Sequence, residues 1–272
     1  MSARKFLLPF AMVLAAAAGP VVAAEEPAAE PAAATEEQPG SWLPGEFSGS
    51  VALTNNYMYR GISQTDNEPA IQGAINYTVD TGLLGTSIYA GVWGSNVNFN
   101  DGDEAQVELD WSFGLSGEIG ETGIGWSLGG LYYNYPGANS SLNYDFWEIT
   151  PTLTYSPLDW VKLTFGMPYS PDFFAGSGDA FYPNGAVAVV IPGIPKNWFT
   201  LTANAGLGYQ SIDDNDKFGT PSYLTWLLGV TVNIKGADIS LAYTDTDISK
   251  SDCFSSQNLC EPKFVATLSY AF

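Results

Sequence analysis

The last nine residues of the chain read Phe264-Val265-Ala266-Thr267-Leu268-Ser269-Tyr270-Ala271-Phe272. In a strand, alternate residues point to opposite sides of the sheet, so Phe264, Leu268 and Phe272 share one apolar face. The other face is mostly small or polar. This alternation, with a final aromatic residue, is typical of the closing strand of a membrane β-barrel. At the edge of a soluble sandwich the same strand would be an aggregation hazard, so the segment favours the membrane barrel.

This ending also resembles the C-terminal signal by which bacterial outer-membrane barrels are recognised for insertion. We therefore interpret Tyr270 and Phe272 as a membrane-assembly signal. It follows that we expect the barrel-assembly machinery of the outer membrane to be a partner of this chain.

The N-terminal residues predict export. Arg4 and Lys5 precede an apolar run that is short, interrupted by prolines and ended by small residues, which is typical of a signal peptide over residues 1–24. Residues 25–41 are rich in Ala, Glu and Pro and contain no aromatic residue, so we expect a disordered periplasmic tether. Residues 42–272 are then the membrane domain.

Twelve alternating segments fill this domain. They cover approximately residues 46–60, 70–79, 85–95, 105–118, 123–135, 144–155, 160–169, 180–191, 198–210, 222–234, 237–246 and 262–272. Each is close to the roughly 9–11 residues with which a tilted strand crosses a bilayer. The third segment is ambiguous because Ile88 and Val92 compete with Tyr89 and Trp93 for the lipid face. Since the third and eighth segments are the least regular, ten or fourteen strands are alternatives.

The connections alternate in length. Those after even-numbered segments are short, whereas those after odd-numbered segments are longer and polar. An outer-membrane barrel has this arrangement, with short periplasmic turns and longer extracellular loops. We therefore predict an all-β fold: a 12-stranded antiparallel transmembrane β-barrel in the bacterial outer membrane, with both termini in the periplasm. Trp and Tyr near strand ends, including Trp42 and Tyr57, are candidates for its aromatic girdles.

The chain carries 29 acidic and 9 basic residues, a formal net charge of −20. This excludes generic binding of nucleic acid, which needs a cationic face. Acidic residues cluster in the predicted outer loops: Asp101, Asp103 and Glu104; Asp213, Asp214 and Asp216; Asp245, Asp247 and Asp252. They are either solvated loop tips or weak ligands of Ca²⁺ or Mg²⁺ that bridge to lipopolysaccharide phosphates. Neither Asp213-Asp214-Asn215-Asp216 nor Asp101-Gly102-Asp103-Glu104 has the full spacing of a calcium loop, so no metal site and no cofactor is predicted.

The chain contains no histidine, which excludes Ser-His-Asp and Cys-His chemistry. A two-carboxylate glycosidase is the remaining alternative, but a charged lumen explains Glu108 and Asp110 more simply, so we expect no enzyme. Cys253 and Cys260 lie in one outer loop of an exported chain, which favours a disulfide.

Two segments carry a family resemblance. The first reads Asn55-Asn56-Tyr57-Met58-Tyr59-Arg60-Gly61-Ile62-Ser63-Gln64-Thr65-Asp66, followed by Pro69-Ala70-Ile71-Gln72-Gly73, and the second reads Tyr89-Ala90-Gly91-Val92-Trp93-Gly94-Ser95-Asn96-Val97. Both resemble signatures of a proteobacterial family of TorF-type porin-like proteins, also labelled Gcw_chp. The resemblance extends from about Phe47 to Phe272, and it implies an outer-membrane barrel with a role in transport, without indicating a substrate.

Alternation assigns five charged residues to the lumen: Arg60, Glu108, Asp110, Glu148 and Lys162. A buried arginine needs partners, which the three acids offer. Arg60 is then either a strut that ties the first loop to the wall or part of a constriction that contacts solute.

Inward faces rich in Gly, Ser, Thr and Ala leave room for a narrow water path. We therefore predict a porin-like channel for passive diffusion of small hydrophilic solutes, with a modest cation preference, in contact with outer-membrane lipid and lipopolysaccharide. The alternative is a non-conducting structural or adhesive barrel that acts through its extracellular loops.

Overall fold

The computed structural model describes residues 44–272, except residues 101, 103, 104 and 196. Twelve antiparallel strands form one sheet that closes on itself. They are β1 Glu46–Thr54, β2 Ala70–Leu83, β3 Thr86–Asn96, β4 Val107–Glu118, β5 Ile124–Asn134, β6 Phe146–Leu158, β7 Val161–Gly166 with its extension Tyr169–Ser170, β8 Asn184–Val190 preceded by Ala180–Phe181, β9 Thr200–Ile212, β10 Tyr223–Ile234, β11 Ala237–Thr246 and β12 Lys263–Ala271. The predicted twelve-stranded barrel is confirmed.

The barrel closes where β12 pairs with β1. The register runs from Ser50 opposite Ala271 to Thr54 opposite Thr267. Phe272 extends the seam because its backbone N–H donates to Gly49 O (2.9 Å) and its carbonyl accepts from Gly49 N–H (2.8 Å). The Phe272 ring also covers Gly49, where an added Cβ would lie 2.8 Å from that ring. The final residue therefore completes the seam.

The outer face of the barrel is apolar. Every strand contributes at least one large apolar side chain that is 40% or more exposed. One from each strand, in order, is Phe47, Ile71, Ile88, Phe113, Leu128, Ile149, Phe165, Phe181, Leu207, Leu228, Ile239 and Leu268. A belt of this extent is far larger than the apolar patches of soluble monomers. In a lipid bilayer it is the surface that contacts hydrocarbon, so this bacterial barrel belongs in the outer membrane.

The connections segregate by side, as the sequence predicts. The turns are short at the end of the barrel where β1 begins and β12 ends, and the loops at the opposite end are longer. The outer loops hold a short helix α1 at Asn215–Phe218 and 3₁₀ turns at Ser140–Leu142, Phe174–Gly176 and Lys250–Asp252. Within the described part of the chain, none of the helices has the length and hydropathy needed to cross a membrane.

The structure corrects two local predictions, the end of β1 and the place of Tyr57, and it shows which face of the ambiguous β3 meets lipid. β1 ends at Thr54, not at Arg60, because the chain turns into the barrel and forms a small hairpin. Tyr57 was predicted for a girdle on the lipid face, but it is 2% exposed and lies inside. In the ambiguous β3, Ile88 faces lipid and Tyr89 and Trp93 point inward. These changes share one cause, since the interior contains a folded loop that buries aromatic residues.

Several predictions fall outside the described residues. They are the signal peptide (1–24), the periplasmic tether (25–41), the girdle position Trp42 and the loop acids Asp101, Asp103 and Glu104. They stay predictions.

We expect Phe272→Asp to reduce barrel assembly strongly, because it removes the ring that covers Gly49 and places a charge beside the lipid-facing seam. Heat-modifiable migration of outer-membrane fractions measures the folded amount. Ala271→Ser, at the neighbouring inward position, is the matched control and should assemble normally. Wild-type amounts of folded Phe272→Asp barrel would contradict the assigned role of the last residue.

Candidate functional site

The interior of the barrel changes character about halfway along its axis. On the periplasmic side, some inward residues, such as Ala52, Thr152 and Thr267, are partly exposed and line a polar cavity, whereas Ser116, Asp238 and Ser240 of the same half are buried. One or two positions further out on the same faces, Thr54, Glu148 and Val265 are buried. The outer half is therefore packed. This differs from the continuous narrow water path predicted from the small inward residues, and the difference arises from the first outer loop.

The first outer loop (residues 55–69) folds into the barrel as a β-hairpin. Met58–Tyr59 pairs with Ile62–Ser63 across a two-residue turn, Arg60-Gly61. Both turn residues have positive φ, +46° and +81°, as type I′ hairpins require. Gly61 also lies against the opposite wall, where a Cβ would be 2.5 Å from Thr225 Oγ1. Glycine at this position therefore lets the turn reach across the lumen.

The side chain of Arg60 connects this hairpin to two separate strands. Its Nη2 donates to both carboxylate oxygens of Glu148 on β6, at 2.9 and 2.8 Å. Its Nη1 donates to Gln210 Oε1 on β9 at 2.6 Å. Tyr133 on β5 donates a further hydrogen bond to Glu148 at 3.1 Å. Since the two ion-paired side chains are each only 1% exposed, the pair is fully shielded from water.

Aromatic rings surround the guanidinium group. Its carbon lies 4.7 Å from the ring centre of Tyr59, 4.4 Å from that of Tyr182 and 5.7 Å from that of Phe173. Cation–π contacts of this kind strengthen when the cation is desolvated. We call the first outer loop hairpin, Arg60 and these surrounding residues the plug.

A second polar group lies on the β4 side of the plug. Glu108 and Asp110 point inward from β4 and are 1% and 0% exposed. Tyr135 donates to Glu108 Oε1 at 3.2 Å. Burial, and then the charges of Glu108 and Asp110, raises the pKa of the Tyr57 and Tyr135 hydroxyls well above its usual value. Both hydroxyls therefore stay neutral at physiological pH.

Above the plug, each outer loop contacts the next and the ring of six is complete. The contacts are Asn98 N to Gln64 O (2.8 Å), Phe99 to Tyr135 (ring centres 5.6 Å apart), Tyr144 to Phe174 (4.4 Å), Lys217 Nζ to Gly176 O (2.6 Å), Phe254 N to Gly219 O (2.9 Å) and Ser63 N to Leu259 O (3.0 Å). The mouth is thus covered by loops that hold one another in place.

The predicted disulfide is present in the last of these loops. Cys253 and Cys260 are bonded to each other, and both are buried. The bridge encloses Asn258 and Leu259, whose carbonyls accept hydrogen bonds from Asn67 (2.9 Å) and Ser63 (3.0 Å) of the first outer loop. The disulfide therefore constrains the segment that holds the plug from outside.

The five predicted lumen residues fall into two groups. Arg60, Glu108, Asp110 and Glu148 lie together in the packed outer half, where Arg60 forms an ion pair with Glu148. Lys162 is half-buried near the periplasmic start of β7. Sequence reasoning missed Gln210, Tyr133 and Tyr182. The aromatic residues Tyr89 and Trp93 on the inward face of β3 were the one signal of a filled interior.

We expect Arg60→Ala to lower the free energy of unfolding by about 3–5 kcal/mol, because it leaves the Glu148 carboxylate buried and unpaired. Urea unfolding of the refolded protein in lipid measures this. The control is Lys250→Ala, which breaks the exposed Lys250–Glu261 pair (3.4 Å) and should cost less than about 1 kcal/mol. Replacing both partners (Arg60→Met with Glu148→Leu) should restore much of the stability. Equal losses in Arg60→Ala and Lys250→Ala would contradict a buried strut.

We expect the double variant Cys253→Ser/Cys260→Ser to be cut faster by external trypsin after Lys250, because the chain segment that clasps the first outer loop loses its cross-link. Mass spectrometry of non-reduced wild-type peptides should find the two cysteines linked. Identical cleavage rates in the double variant and the oxidised wild type would show that the bridge does not constrain the loops.

The comparisons with known proteins concern the family and the fold. The NanC porin structure in a rhombohedral crystal form is 10% identical, covers 83% of this chain and 99% of its own, and has a TM-score of 0.49. The COG4313 outer membrane channel from Pseudomonas putida F1 is 12% identical, with coverages of 87% and 99% and a TM-score of 0.45. LpxR from Salmonella typhimurium is 10% identical, with coverages of 83% and 99% and a TM-score of 0.46. Similarity at this level says nothing about what the chain does.

No curated protein matches the chain. A family model described as "Bacterial protein of unknown function (Gcw_chp)" matches residues 38–272, which includes the whole barrel, the plug and the disulfide loop. The chain belongs to the Gcw_chp family.

Proposed function

We propose that this protein is a porin-like outer-membrane channel for small hydrophilic solutes whose resting state is closed by the plug. The observation that carries the proposal is the origin of the obstruction. The first outer loop occupies the centre of the outer half of the lumen, packed among inward side chains of the wall such as Tyr89, Trp93 and Tyr133. Barrels of about eight strands are filled by their own side chains and barrels of 16–18 leave a wide channel, so a twelve-stranded wall without the loop would leave a narrow passage.

The periplasmic half supports a water-filled route. Its inward residues include Ser112, Thr152, Thr164 and Lys162, which are partly exposed. Opening requires that the first outer loop and the loops that cover the mouth move, whereas the strands stay held by continuous backbone pairing. The contacts to be broken include those of Arg60 with Glu148 and Gln210 and the backbone bonds of the first outer loop to its two neighbouring loops.

A cation preference follows from the charges along this route. Among the described residues, the buried charged side chains are the acids Glu108, Asp110, Glu148 and Asp238 and one base, Arg60. The outer loops add further acids, including Asp213 and Asp247. Acidic rings raise the local concentration of cations. Pairing of Arg60 with Glu148 neutralises part of this field, so the preference should be modest.

The partners follow from the surfaces. The apolar belt contacts outer-membrane lipid, and the acidic loops face lipopolysaccharide, where divalent cations would bridge carboxylate and phosphate. Tyr270 and Phe272 would be recognised by the barrel-assembly machinery during insertion. We propose no catalytic activity, because the chain lacks the histidine on which the usual hydrolytic triads depend.

A non-conducting structural or adhesive barrel is the second candidate. The ring of interlocked outer loops favours it, since that ring and the disulfide would also suit a permanent lid that presents a fixed surface to the outside.

Planar-bilayer recording separates the two candidates. We expect rare or small openings in the wild type and more frequent or larger ones in Arg60→Ala, because the hairpin loses its anchor. Lys250→Ala removes one positive charge from an exposed loop and should behave as the wild type. No conductance in the wild type or in Arg60→Ala would favour the structural barrel.

The reversal potential across a salt gradient tests selectivity in the conducting variant. We expect cation preference, and we expect it to fall when Glu108→Gln and Asp110→Asn are combined. It should also weaken at high salt because mobile ions screen the acids. An anion-selective reversal potential, or no shift in the double variant, would contradict the assignment of these acids to the route.

A further inference from the structure

The periplasmic cavity of the barrel has a wall of hydroxyl groups on β5, β6 and β7. Five inward residues of these strands are neighbours on that wall and are partly exposed: Ser127, Thr150, Thr152, Thr154 and Thr164. We call them the hydroxyl patch. Thr150 is the next inward residue after Glu148 of the plug, so the patch begins where the packed half of the barrel ends.

The pairing of the strands brings the hydroxyls of the patch close together. Ser127 is directly opposite Thr152, and Thr154 is directly opposite Thr164. The Cβ atoms of such pairs are about 5 Å apart, and inward positions along one strand are about 7 Å apart. The patch therefore covers an area similar to that of one or two sugar rings.

Two glycines on β5 make room for the side chains of the patch. Gly129 is opposite Thr150, and Gly125 is opposite Thr154. A Cβ at Gly129 would lie 2.7 Å from Thr150 Oγ1, and a Cβ at Gly125 would lie 2.5 Å from Thr154 Oγ1. Any other residue at these two positions would therefore displace a hydroxyl of the patch.

The protein itself does not use these hydroxyls. Within the part of the chain that the structure describes, none of the five side chains forms a hydrogen bond to another residue. Polar residues across the cavity differ, because Asn204 donates to Thr231 Oγ1 (3.2 Å) and Thr231 shares a hydrogen bond with Ser240 (2.9 Å). Those three residues are buried. The hydroxyls of the patch are thus available to a molecule in the cavity.

An amide group borders the patch on its β8 side. Gly166 is opposite Thr152, and Asn184 is opposite Gly166 on the other side. A Cβ at Gly166 would lie 2.8 Å from Asn184 Nδ2, so the amide covers this glycine beside Thr152. Asn184 also lines a hollow between Arg60 and the wall. A solute on the patch would therefore lie next to the plug.

The patch is uncharged, which decides the class of solute that it suits. In the periplasmic half, the charged inward residues of β4 to β7 are Lys162, two positions from Thr164, and Glu118, at the end of β4. A hydroxyl both donates and accepts hydrogen bonds, and so do the hydroxyls of a sugar. A charged solute would lose hydration against neutral groups that compensate its charge poorly. The buried acids of the outer half act on ions and not on a solute without charge.

We propose that the hydroxyl patch, with the amide of Asn184 at its edge, binds an uncharged polyhydroxylated solute of the size of a sugar. This inference rests on the proposed function, because it names the class of small hydrophilic solute that the channel would admit.

Saturation-transfer NMR on the refolded protein in lipid nanodiscs measures binding without conduction. Three sugars with the same ring are titrated at mildly acidic pH: glucose, which is uncharged, glucuronate, which carries a carboxylate, and glucosamine, which carries an ammonium group. We expect a lower Kd for glucose than for either charged sugar. Thr152→Val/Thr154→Val keeps the shape of the wall but removes two hydroxyls, and it should raise the Kd for glucose about tenfold.

Thr202→Val is the matched control, because Thr202 is a partly exposed inward threonine on β9, outside the patch. It should keep the wild-type Kd. Heat-modifiable migration checks that each variant is folded.

Three results would overturn the proposal: no binding of glucose, a charged sugar that binds as tightly as glucose or more tightly, or an unchanged Kd in the folded double variant. An equal loss in Thr202→Val would also overturn it, since binding would then not belong to the patch. The ranking of the three sugars is measured in the wild type, so it does not depend on the folding of a variant.

Failure of the channel would look different from failure of the patch. A barrel that binds glucose but never conducts would contradict the proposed channel and leave the patch in place. A barrel that conducts without binding glucose would contradict the patch alone.

Discussion

A strand in the hydrocarbon core of a bilayer has no water to satisfy its backbone, so each of the twelve strands needs a hydrogen-bonded neighbour on both edges. The pairing of β12 with β1 meets this requirement, and the backbone bonds of Gly49 with Phe272 extend it to the last residue. Closure then separates alternate residues into two environments. One face of every strand meets lipid, and the other meets an interior whose size follows from the number of strands.

The interior of a twelve-stranded barrel is filled by side chains, by water or by a segment of the chain itself. In the periplasmic half, small and polar side chains leave a cavity, whereas in the outer half the chain inserts its own first outer loop. A wholly apolar plug would fill the same space without the desolvation of charged groups. The buried Arg60–Glu148 pair instead selects one position for the loop, because only one arrangement pairs the guanidinium with both carboxylate oxygens. A single preferred position of this kind is compatible with a loop that moves as a unit.

The sequence predicted the architecture well for physical reasons. The alternation of apolar and polar residues is a property of single strands. The alternation of short and long connections is a property of strands that follow each other in the chain. Neither pattern requires long-range information. The Cys253–Cys260 bridge was likewise predictable, since both residues lie in one loop of an exported chain. Alternation also assigned Glu148 to the interior, where it pairs with Arg60.

The plug was not predictable by the same reasoning. Residues 55–57 continue the alternation of β1, so the sequence alone extends the strand to Arg60, although the chain leaves the wall after Thr54. The contacts of Arg60 with Gln210 and Tyr182 join positions more than a hundred residues apart in the chain, and no local pattern encodes them. The inward Tyr89 and Trp93 hinted at a filled lumen, because a water-filled channel has little use for buried aromatic rings on its wall.

The lumen is accessible to water in its periplasmic half and packed in its outer half. Substituted-cysteine accessibility tests it most directly, since the native cysteines are bonded to each other and do not react. Thr152→Cys on β6 and Thr244→Cys on β11 both point inward, but Thr152 is partly exposed and Thr244 is buried. We expect rapid labelling of Thr152→Cys by a small charged thiol reagent in folded protein and little labelling of Thr244→Cys. Equally rapid labelling of both positions would contradict it.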